Sequence, residues 1–458
     1  MRAPLLRWLV IGVAIAGVVA AGIIGGLMLF GPLRAPQTDE ITTTEPAVAP
    51  ERSGTQQVQQ TRRPSAETAA SGEISAERVA TAEPTAAALA PAGRDYVILQ
   101  IGDSHTAADL FTGEVRDRLQ EKFGAGGLFL PPGIPKAGVQ SAEFNIRADD
   151  AWTYKAMAST DEPDHFWLSG YTATVTQSGA KVTFTAKTQQ AFDAIDVSFL
   201  KNNGGGRANI LLDGTIVDQV SLDGRPGDPL IRRLMPPDGK VGSFKTLQVV
   251  TSSGGPVEFS GVFVDQRKSG VSYLSVGFPG ARVTVLKRMA PENLADDMSR
   301  IDPDMVVLAF GTNEGFDDNL DIDAYKQTLA GIVGDMLKAN PRLKVVIVGP
   351  PPAARKENSC TDVRTQCGSP PIAGSCWAQP PKLNSVRDAE REVAKAQGAI
   401  FWDWSSVLPT ACALELGHLG DPAIFGPDRV HMTGTGYRNS ADAFAQMLSP
   451  LVAKAMAN

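Results

Sequence analysis

The stretch YVILQIGDSHTAADLFTGEVRDRLQEKFG, residues 96–124, decides the fold. It opens with the apolar run YVILQI, which predicts a buried strand that ends at Gly102. Hydrophobic residues then recur at three- and four-residue spacing from Leu110 to Phe123, which predicts a helix that stops at Gly124. A strand, a tight turn and a helix in this order indicate the start of an α/β domain with a parallel sheet.

The same alternation of strands and helices returns after residue 270. The predicted strands cover residues 272–276, 305–310, 344–348 and 399–404, and the predicted helices cover residues 321–339, 383–397 and 436–456. Such alternation implies a parallel sheet that is covered by helices on both faces.

Between residues 139 and 268 the helical period is lost. Short alternating runs take its place, at residues 181–186, 194–200, 208–212, 244–251 and 257–264. Turn signals such as Asn203-Gly204 and Asp213-Gly214 separate them. This pattern predicts an antiparallel β-sandwich inserted into the α/β domain. Four aromatic residues near its start either stack on sugar rings or pack in the sandwich core, and large aromatics favour the core. They are Trp152, Tyr154, Trp167 and Tyr171.

The N-terminal segment Trp8–Phe30 is uncharged and almost entirely apolar. As a helix it would measure about 35 Å, enough for a hydrocarbon core of ~30 Å. Arg2 and Arg7 precede it, so the positive-inside rule predicts a cytoplasmic N-terminus and an exported remainder. The alternative is a cleaved signal peptide, but the apolar run exceeds the usual length and no clear small-x-small site follows.

Residues 35–93 are rich in Ala, Thr, Pro, Glu, Ser and Gln and hold few large apolar side chains. Such a stretch buries too little surface to offset its chain entropy, so it predicts a disordered linker. The net charge of −7 argues against a nucleic-acid partner, which would favour a basic face.

The four cysteines all lie within the last hundred residues. In an exported domain they favour disulfides, and we favour Cys360–Cys367 with Cys376–Cys412 among the three possible pairings. Free buried thiols remain the alternative.

Two residues of the chain suit nucleophilic chemistry, Ser104 and His431. Ser104 lies where a predicted parallel strand gives way to a helix, and sheets of this type place their sites at that edge. A helix-capping serine is the plain alternative. His431 follows Asp428 by three residues, so a carboxylate could bond one ring nitrogen and leave the other free as a base.

Gly280 and Asn313 follow the next two predicted strands at the same edge. A glycine allows its N–H to approach a ligand closely, and an asparagine amide can donate to an oxyanion. Each is otherwise an ordinary turn residue, and Gly277 is a rival for Gly280.

These blocks, in this order, resemble the signature of the SGNH (GDSL-type) hydrolase family. The matching segments are Gly102-Asp103-Ser104, a turn glycine, Gly311-Thr312-Asn313 and Asp428-x-x-His431. The resemblance covers residues 96–138 and 270–457 and implies a three-layer α/β/α domain.

The resemblance also implies a role for each residue. Ser104 would be the nucleophile, His431 the general base and Asp428 its orienting partner. The N–H groups of Ser104 and Gly280 and the Asn313 amide would form the oxyanion hole. No metal or organic cofactor is implied.

One departure from the family pattern is His105, where many members carry Leu or Ile. A Gly-Asp-Ser-His variant is familiar among envelope members that carry a β-sandwich between their first two blocks, such as peptidoglycan O-acetylesterases. An acylated envelope carbohydrate is therefore the implied substrate. His105 itself either touches substrate or packs beside the turn.

We therefore expect five segments along the chain. They are a cytoplasmic stub and transmembrane anchor (1–34), a linker (35–93), a first hydrolase part (94–138), the inserted β-sandwich (139–269) and a second hydrolase part (270–458). The expected location is the bacterial inner membrane, with a single span and the catalytic domain in the periplasm. The expected activity is removal of O-acyl groups from a glycan. An O-acyltransferase with the same residues and a non-catalytic glycan-binding protein are the alternatives.

Overall fold

The computed structural model describes residues 81–82, 95–132, 139–159, 166–266, 270–289, 291–357, 376–407, 414, 418 and 420–457. The predicted membrane span Trp8–Phe30 lies outside these residues, as do the side chains of all four cysteines. Among the described helices, none is both long and apolar enough to cross a membrane.

The described strands, in chain order, are β1 (Thr81–Ala82), β2 (Tyr96–Gly102), β3 (Leu128–Leu130), β4 (Phe144–Ala148), β5 (Thr153–Ala156), β6 (Tyr171–Val175), β7 (Lys181–Phe192), β8 (Ala194–Leu200), β9 (Arg207–Leu212), β10 (Thr215–Ser221), β11 (Pro229–Leu234), β12 (Gly242–Ser253), β13 (Val257–Asp265), β14 (Val271–Gly277), β15 (Met305–Ala309), β16 (Lys344–Gly349), β17 (Arg355–Glu357), β18 (Cys376–Ala378) and β19 (Ile400–Asp403). The described α-helices are α1 (Ser104–Ala107), α2 (Leu110–Phe123), α3 (Pro291–Ile301), α4 (Thr312–Gly315), α5 (Ile322–Ala339), α6 (Leu383–Gln397) and α7 (Gly434–Met456).

Five strands form a parallel sheet in the order β14-β2-β15-β16-β19. Side chains of β2 alternate between its two faces: Leu99 and Ile101 pack with α5 and α6, whereas Ile98 packs with α2 and α7. Both faces are thus covered by helices, which explains why these strands are continuous apolar runs. The α/β class and the parallel sheet predicted from the sequence are confirmed.

The remaining long strands form two antiparallel sheets. One contains β1-β11-β8-β13-β6-β5, with β3 also paired to β13, and the other runs β10-β9-β12-β7-β4. Apolar side chains of both sheets share one core, for example Val182 and Phe184 of β7 with Val197 and Phe199 of β8. Both sheets are therefore buried on the face that they turn toward each other.

Two details extend these sheets beyond residues 139–269. Strand β3 comes from the segment before residue 139 and pairs with β13 at Leu130–Val262. Thr81 and Ala82, which lie in the predicted linker, pair with β11. Trp152, Trp167 and Tyr171 are at most 5% exposed, so they pack in the interior and Tyr154 alone of the four aromatics is half-buried.

Candidate active site

Ser104 follows the end of the central strand β2, and this strand end sets its position. The strand stops at Gly102, where a Cβ would come within 2.4 Å of Thr106 Oγ1 and the Ala309 carbonyl, so only glycine fits this turn. Asp103 caps the short helix α1 and accepts a hydrogen bond from the His105 N–H at 3.0 Å. Ser104 is the first residue of α1, so its own N–H has no acceptor within the helix.

Asp428 and His431 share a tight turn just before α7. One Asp428 oxygen accepts the N–H groups of Val430 and His431, each at 3.0 Å. The other oxygen lies 2.6 Å from His431 Nδ1. His431 Nε2 lies 2.8 Å from Ser104 Oγ. The structure therefore joins Ser104 to a pair of residues that lie more than three hundred positions later in the sequence.

The hydrogen bond between Asp428 and His431 shifts the pKa values of the two residues in opposite directions. Partial burial raises the pKa of Asp428, but the hydrogen bonds from His431 and Val430 outweigh it and hold that pKa at about 2. The bond to Asp428 raises the pKa of His431 above its usual range, against the effect of burial. An ionised Asp428 fixes the proton on Nδ1, which leaves the Nε2 lone pair facing the Ser104 hydroxyl. This arrangement allows His431 to take the hydroxyl proton.

Gly280 and Asn313 lie on two adjoining turns at the same sheet edge. Phe278 begins the first turn, where its N–H donates to the Gly102 carbonyl at 2.9 Å, and Ala281 N–H closes it onto the Phe278 carbonyl at 3.0 Å. Gly280 has φ +74°, a conformation that favours glycine. The Asn313 amide donates to the Ala281 carbonyl at 2.8 Å, which orients it and leaves its second hydrogen available.

Gly277, the rival candidate, has a packing role. A Cβ at this position would lie 2.1 Å from the backbone nitrogen of Ala107. Helix α1 therefore packs directly on the end of β14, and a larger residue would displace the helix that begins with Ser104.

His105 packs beneath the site. It is 2% exposed, and its ring centroid lies 5.2 Å from that of His431. Its Nδ1 lies 2.9 Å from the Tyr437 hydroxyl, whereas its Nε2 has no hydrogen-bond partner among the described residues. Burial lowers the pKa of His105 to about 3, so the ring is neutral at physiological pH. Of the two roles open from the sequence, the structure places His105 in packing contacts.

Two buried carboxyl groups lie behind the site, and the sequence motifs predicted no role for either of them. Asp103 accepts hydrogen bonds from His105 and Thr312, and burial raises its pKa to about 7. Glu314 accepts the Val283 N–H at 2.7 Å and the Gly311 N–H at 3.1 Å. Glu314 therefore ties the Gly280 loop to the Asn313 loop. The glutamate three residues after Gly311 is the capping-box spacing, a signal that could have identified it.

The described part of the chain contains no group of three or more His, Cys, Asp or Glu side chains arranged to hold a metal ion. The chemistry that the site can perform from its own side chains is proton transfer between Ser104 and His431, together with hydrogen bonding to a nearby oxygen.

Residues 257–438 match the model of the GDSL-like lipase/acylhydrolase family. The matched segment contains Gly280, Asn313, Asp428 and His431. It begins after Ser104, and most of the antiparallel strands lie between Ser104 and the matched segment. No curated protein matches the chain.

The chain is similar to three solved structures of esterases. One is described as a peptidoglycan O-acetylesterase, with a TM-score of 0.63 and 24% identity over 79% of this chain and 93% of that chain. An acetyl xylan esterase gives a TM-score of 0.29 and 18% identity over 39% and 81% of the two chains. A family two carbohydrate esterase from Cellvibrio japonicus gives a TM-score of 0.25 and 12% identity over 68% and 98%. The first likeness shows a shared fold. Residues 257–438 therefore belong to the SGNH (GDSL-type) hydrolase family, and the chain carries an esterase of that family.

Proposed function

We propose that this esterase removes O-acyl groups, acetyl in particular, from an envelope glycan such as peptidoglycan or a secreted polysaccharide. The observation that carries the proposal is the continuous line of hydrogen bonds from Asp428 through His431 to Ser104, at 2.6 and 2.8 Å. A hydroxyl, a base and an orienting carboxylate in this order are the parts that acyl transfer from an ester requires.

The first half-reaction would form an acyl-enzyme. Ser104 Oγ attacks the ester carbonyl carbon while its proton moves to His431 Nε2. Ionised Asp428 stabilises the resulting imidazolium. The tetrahedral intermediate then collapses, its bond to the sugar oxygen breaks, and His431 returns the proton to that oxygen. The glycan leaves with a free hydroxyl.

The second half-reaction would hydrolyse the acyl-enzyme. A water molecule attacks the acyl carbon as His431 takes one of its protons, and the bond to Ser104 Oγ breaks. The proton passes to Ser104, and the acid is released. In both halves the negative oxygen would be held by the N–H groups of Ser104 and Gly280 and by the free hydrogen of the Asn313 amide.

The substrate class is supported by two observations. The similar solved structure with a TM-score of 0.63 is described as a peptidoglycan O-acetylesterase, and the match covers 93% of it. The Gly-Asp-Ser-His segment and the antiparallel strands between the first two blocks also resemble the pattern of peptidoglycan O-acetylesterases, which act on an acetylated glycan.

We further propose that the enzyme is held at the outer face of a bacterial inner membrane by the segment Trp8–Phe30. The support is the length and apolar character of this segment and the two arginines before it. N-terminal sequencing of protein from membranes tests the anchor. An intact N-terminus supports it, and a mature N-terminus beyond Gly31 would rule it out.

The activity is tested by acetate release from O-acetylated peptidoglycan, with peptidoglycan de-O-acetylated by mild base as the control substrate. We expect release by the wild-type chain from the first substrate alone, and none by Ser104→Ala or His431→Ala proteins with unchanged circular dichroism spectra. Undiminished release by a folded Ser104→Ala variant would overturn the mechanism. An added oligosaccharide acceptor distinguishes hydrolysis from transfer, because transfer would move the acetyl group to it faster than acetate appears.

A further inference from the structure

The turn that carries Asp428 and His431 contains a residue in an unfavourable backbone conformation. Arg429 has φ +52°, in the left-handed region where a side chain crowds the backbone. Residues other than glycine persist there only when surrounding contacts hold them. The contacts around Arg429 therefore indicate what keeps the turn in shape.

Contacts of both its backbone and its side chain hold Arg429. Its carbonyl accepts the Ala354 N–H at 2.9 Å, and its N–H donates to the Gly426 carbonyl at 3.1 Å. Its guanidinium carbon lies 4.1 Å from the centre of the Trp377 ring, the distance of a close cation–π contact. Arg429 is buried, so this contact is largely removed from solvent and is correspondingly stronger.

Trp377 belongs to the two-stranded sheet of β17 and β18, where it pairs with Lys356. The same sheet contacts the other side of the site, because Arg355 forms an ion pair with Asp318 at 2.6 Å. Asp318 lies in the loop that follows α4, the short helix that contains Asn313. The two-stranded sheet is thus tied both to the turn that carries the base and to the loop that follows the helix carrying the amide.

We propose that Trp377 and Arg429 are positioning residues that hold the Asp428–His431 turn in the geometry required for catalysis. This inference rests on the proposed esterase function. Asp428 accepts the N–H groups of Val430 and His431, so a rotation of the backbone at Arg429 would disturb both bonds and the bond to the imidazole. A misplacement of about 1 Å is enough to cost on the order of 10²-fold in rate.

The titration of His431 distinguishes a positioning role of Trp377 and Arg429 from a purely structural one. Among the described residues, the titratable groups that face its ring are Asp428, Asp103 and His105. The bond to Asp428 is the largest cause that raises the pKa of His431. If that bond loosens, this pKa falls toward its ordinary value, whereas a loss of global stability alone would leave it in place.

The experiment compares four variants of the full-length chain. Trp377→Leu removes the aromatic ring and Trp377→Phe retains one. Arg429→Gly tolerates the left-handed backbone but lacks the guanidinium, and Arg429→Lys retains a cation. A fifth variant, Arg391→Ala, is the matched control. Arg391 lies on helix α6, and the substitution removes a guanidinium that lies 4.9 Å from the Phe401 ring.

With p-nitrophenyl acetate, we expect Trp377→Leu and Arg429→Gly to lower kcat by about tenfold or more and to change KM little. The acidic limb of their kcat/KM profiles should move to lower pH. Trp377→Phe and Arg429→Lys should recover most of the rate, and Arg391→Ala should match the wild type. Should Trp377→Leu fail to fold, the Arg429→Gly and Arg429→Lys pair gives the same comparison.

A second readout does not depend on activity. The proton between His431 Nδ1 and Asp428 should give a low-field proton NMR resonance that is absent from His431→Ala. We expect this resonance to move upfield or broaden in Trp377→Leu and to persist in Arg391→Ala. The inference would be overturned if folded Trp377→Leu and Arg429→Gly proteins kept the wild-type rate, the wild-type acidic limb and the wild-type resonance. An inactive wild-type chain would instead refute the proposed function, and the resonance would still test the positioning.

Discussion

The side-chain amide of Asn313 donates a hydrogen bond to the carbonyl of Ala281, the residue after Gly280, at 2.8 Å. This bond joins the loops that follow β14 and β15, and Glu314 joins them a second time through Val283 and Gly311. Two of the three proposed donors of the oxyanion hole, Gly280 and Asn313, are therefore held as one unit before substrate arrives. Donors fixed in advance need no reorganisation during the reaction, which is the basis of electrostatic catalysis.

The Asn313 amide can be tested by Asn313→Ala. Loss of one oxyanion donor lowers kcat by about 10²- to 10³-fold in comparable sites, and we expect a loss in this range with little change in KM. Steady-state kinetics with p-nitrophenyl acetate measures it. Asn145→Ala, at an exposed position on β4, is the control and should leave kcat unchanged. Wild-type kcat in Asn313→Ala would remove Asn313 from the mechanism.

The pH dependence of kcat/KM should report His431. As a base, His431 is active when neutral, and its pKa is raised by Asp428. Activity should therefore rise with pH through an acidic limb that lies above the ordinary pKa of a histidine. Asp428→Asn removes the charge that raises this pKa, so the limb should move to lower pH while kcat falls by on the order of 10⁴-fold. An unmoved limb in Asp428→Asn would show that another group titrates.

Substitutions of His105 and Tyr437 should have coupled effects on the free energy of unfolding. Removing either partner breaks a buried hydrogen bond of the other, which costs about 1–3 kcal/mol. His105→Leu and Tyr437→Phe should each destabilise the fold by this amount, and the double variant by less than the sum. Urea unfolding followed by circular dichroism measures the cycle. Strictly additive free energies of unfolding would contradict the bond between Nδ1 and the phenol.

The buried carboxyl of Asp297 should make the fold less stable as pH rises from about 4 to 6. Burial raises its pKa from 3.8 to about 6, despite the opposing charge of Arg300. In this interval the unfolded chain loses the Asp297 proton and the folded chain keeps it. The contribution of Asp297 to the free energy of unfolding is therefore complete below pH 3.8 and is lost as pH rises through about 6. The shift corresponds to about 3 kcal/mol at 1.36 kcal/mol per pKa unit.

Asp297→Asn removes this titration, so its free energy of unfolding should vary less with pH than that of the wild type. Chemical denaturation at pH 4, 5, 6 and 7 measures the two profiles. Asn145→Ala, an exposed substitution on β4 that changes no carboxyl group, should leave the profile unchanged. Identical slopes for Asp297→Asn and the wild type would show that Asp297 ionises normally in the folded state.

Much of the fold could be predicted because its strongest signals are local. The strand predicted at residues 194–200 coincides with β8, and the helix predicted from Asp321 begins at Ile322 with Asp321 as its cap. Strands β10 and β11 were not predicted, because charged side chains interrupt their apolar alternation. In the structure Arg232 of β11 pairs with Asp218 of β10 at 2.7 Å, which only the folded arrangement reveals.

For the candidate site as well, the local motifs could be predicted and the contacts between distant elements could not. Ser104 and His431 were predicted from short motifs, but the 2.8 Å distance between them depends on packing across the sheet. The support from His105, Tyr437 and Trp377 could not be predicted, since their contacts join distant elements. The family and the esterase class are confirmed, whereas the membrane anchor, the segment boundaries and the residue roles stay predictions.

In the proposed mechanism Ser104 becomes acylated while His431 acts as its base. Peptide mass spectrometry after rapid acid quench of a reaction with p-nitrophenyl acetate detects this intermediate. We expect one acetyl group on the peptide that contains Ser104 in the wild-type chain, and none in the Ser104→Ala or His431→Ala proteins. An acetyl group on a different residue, or full turnover by the Ser104→Ala protein, would contradict it.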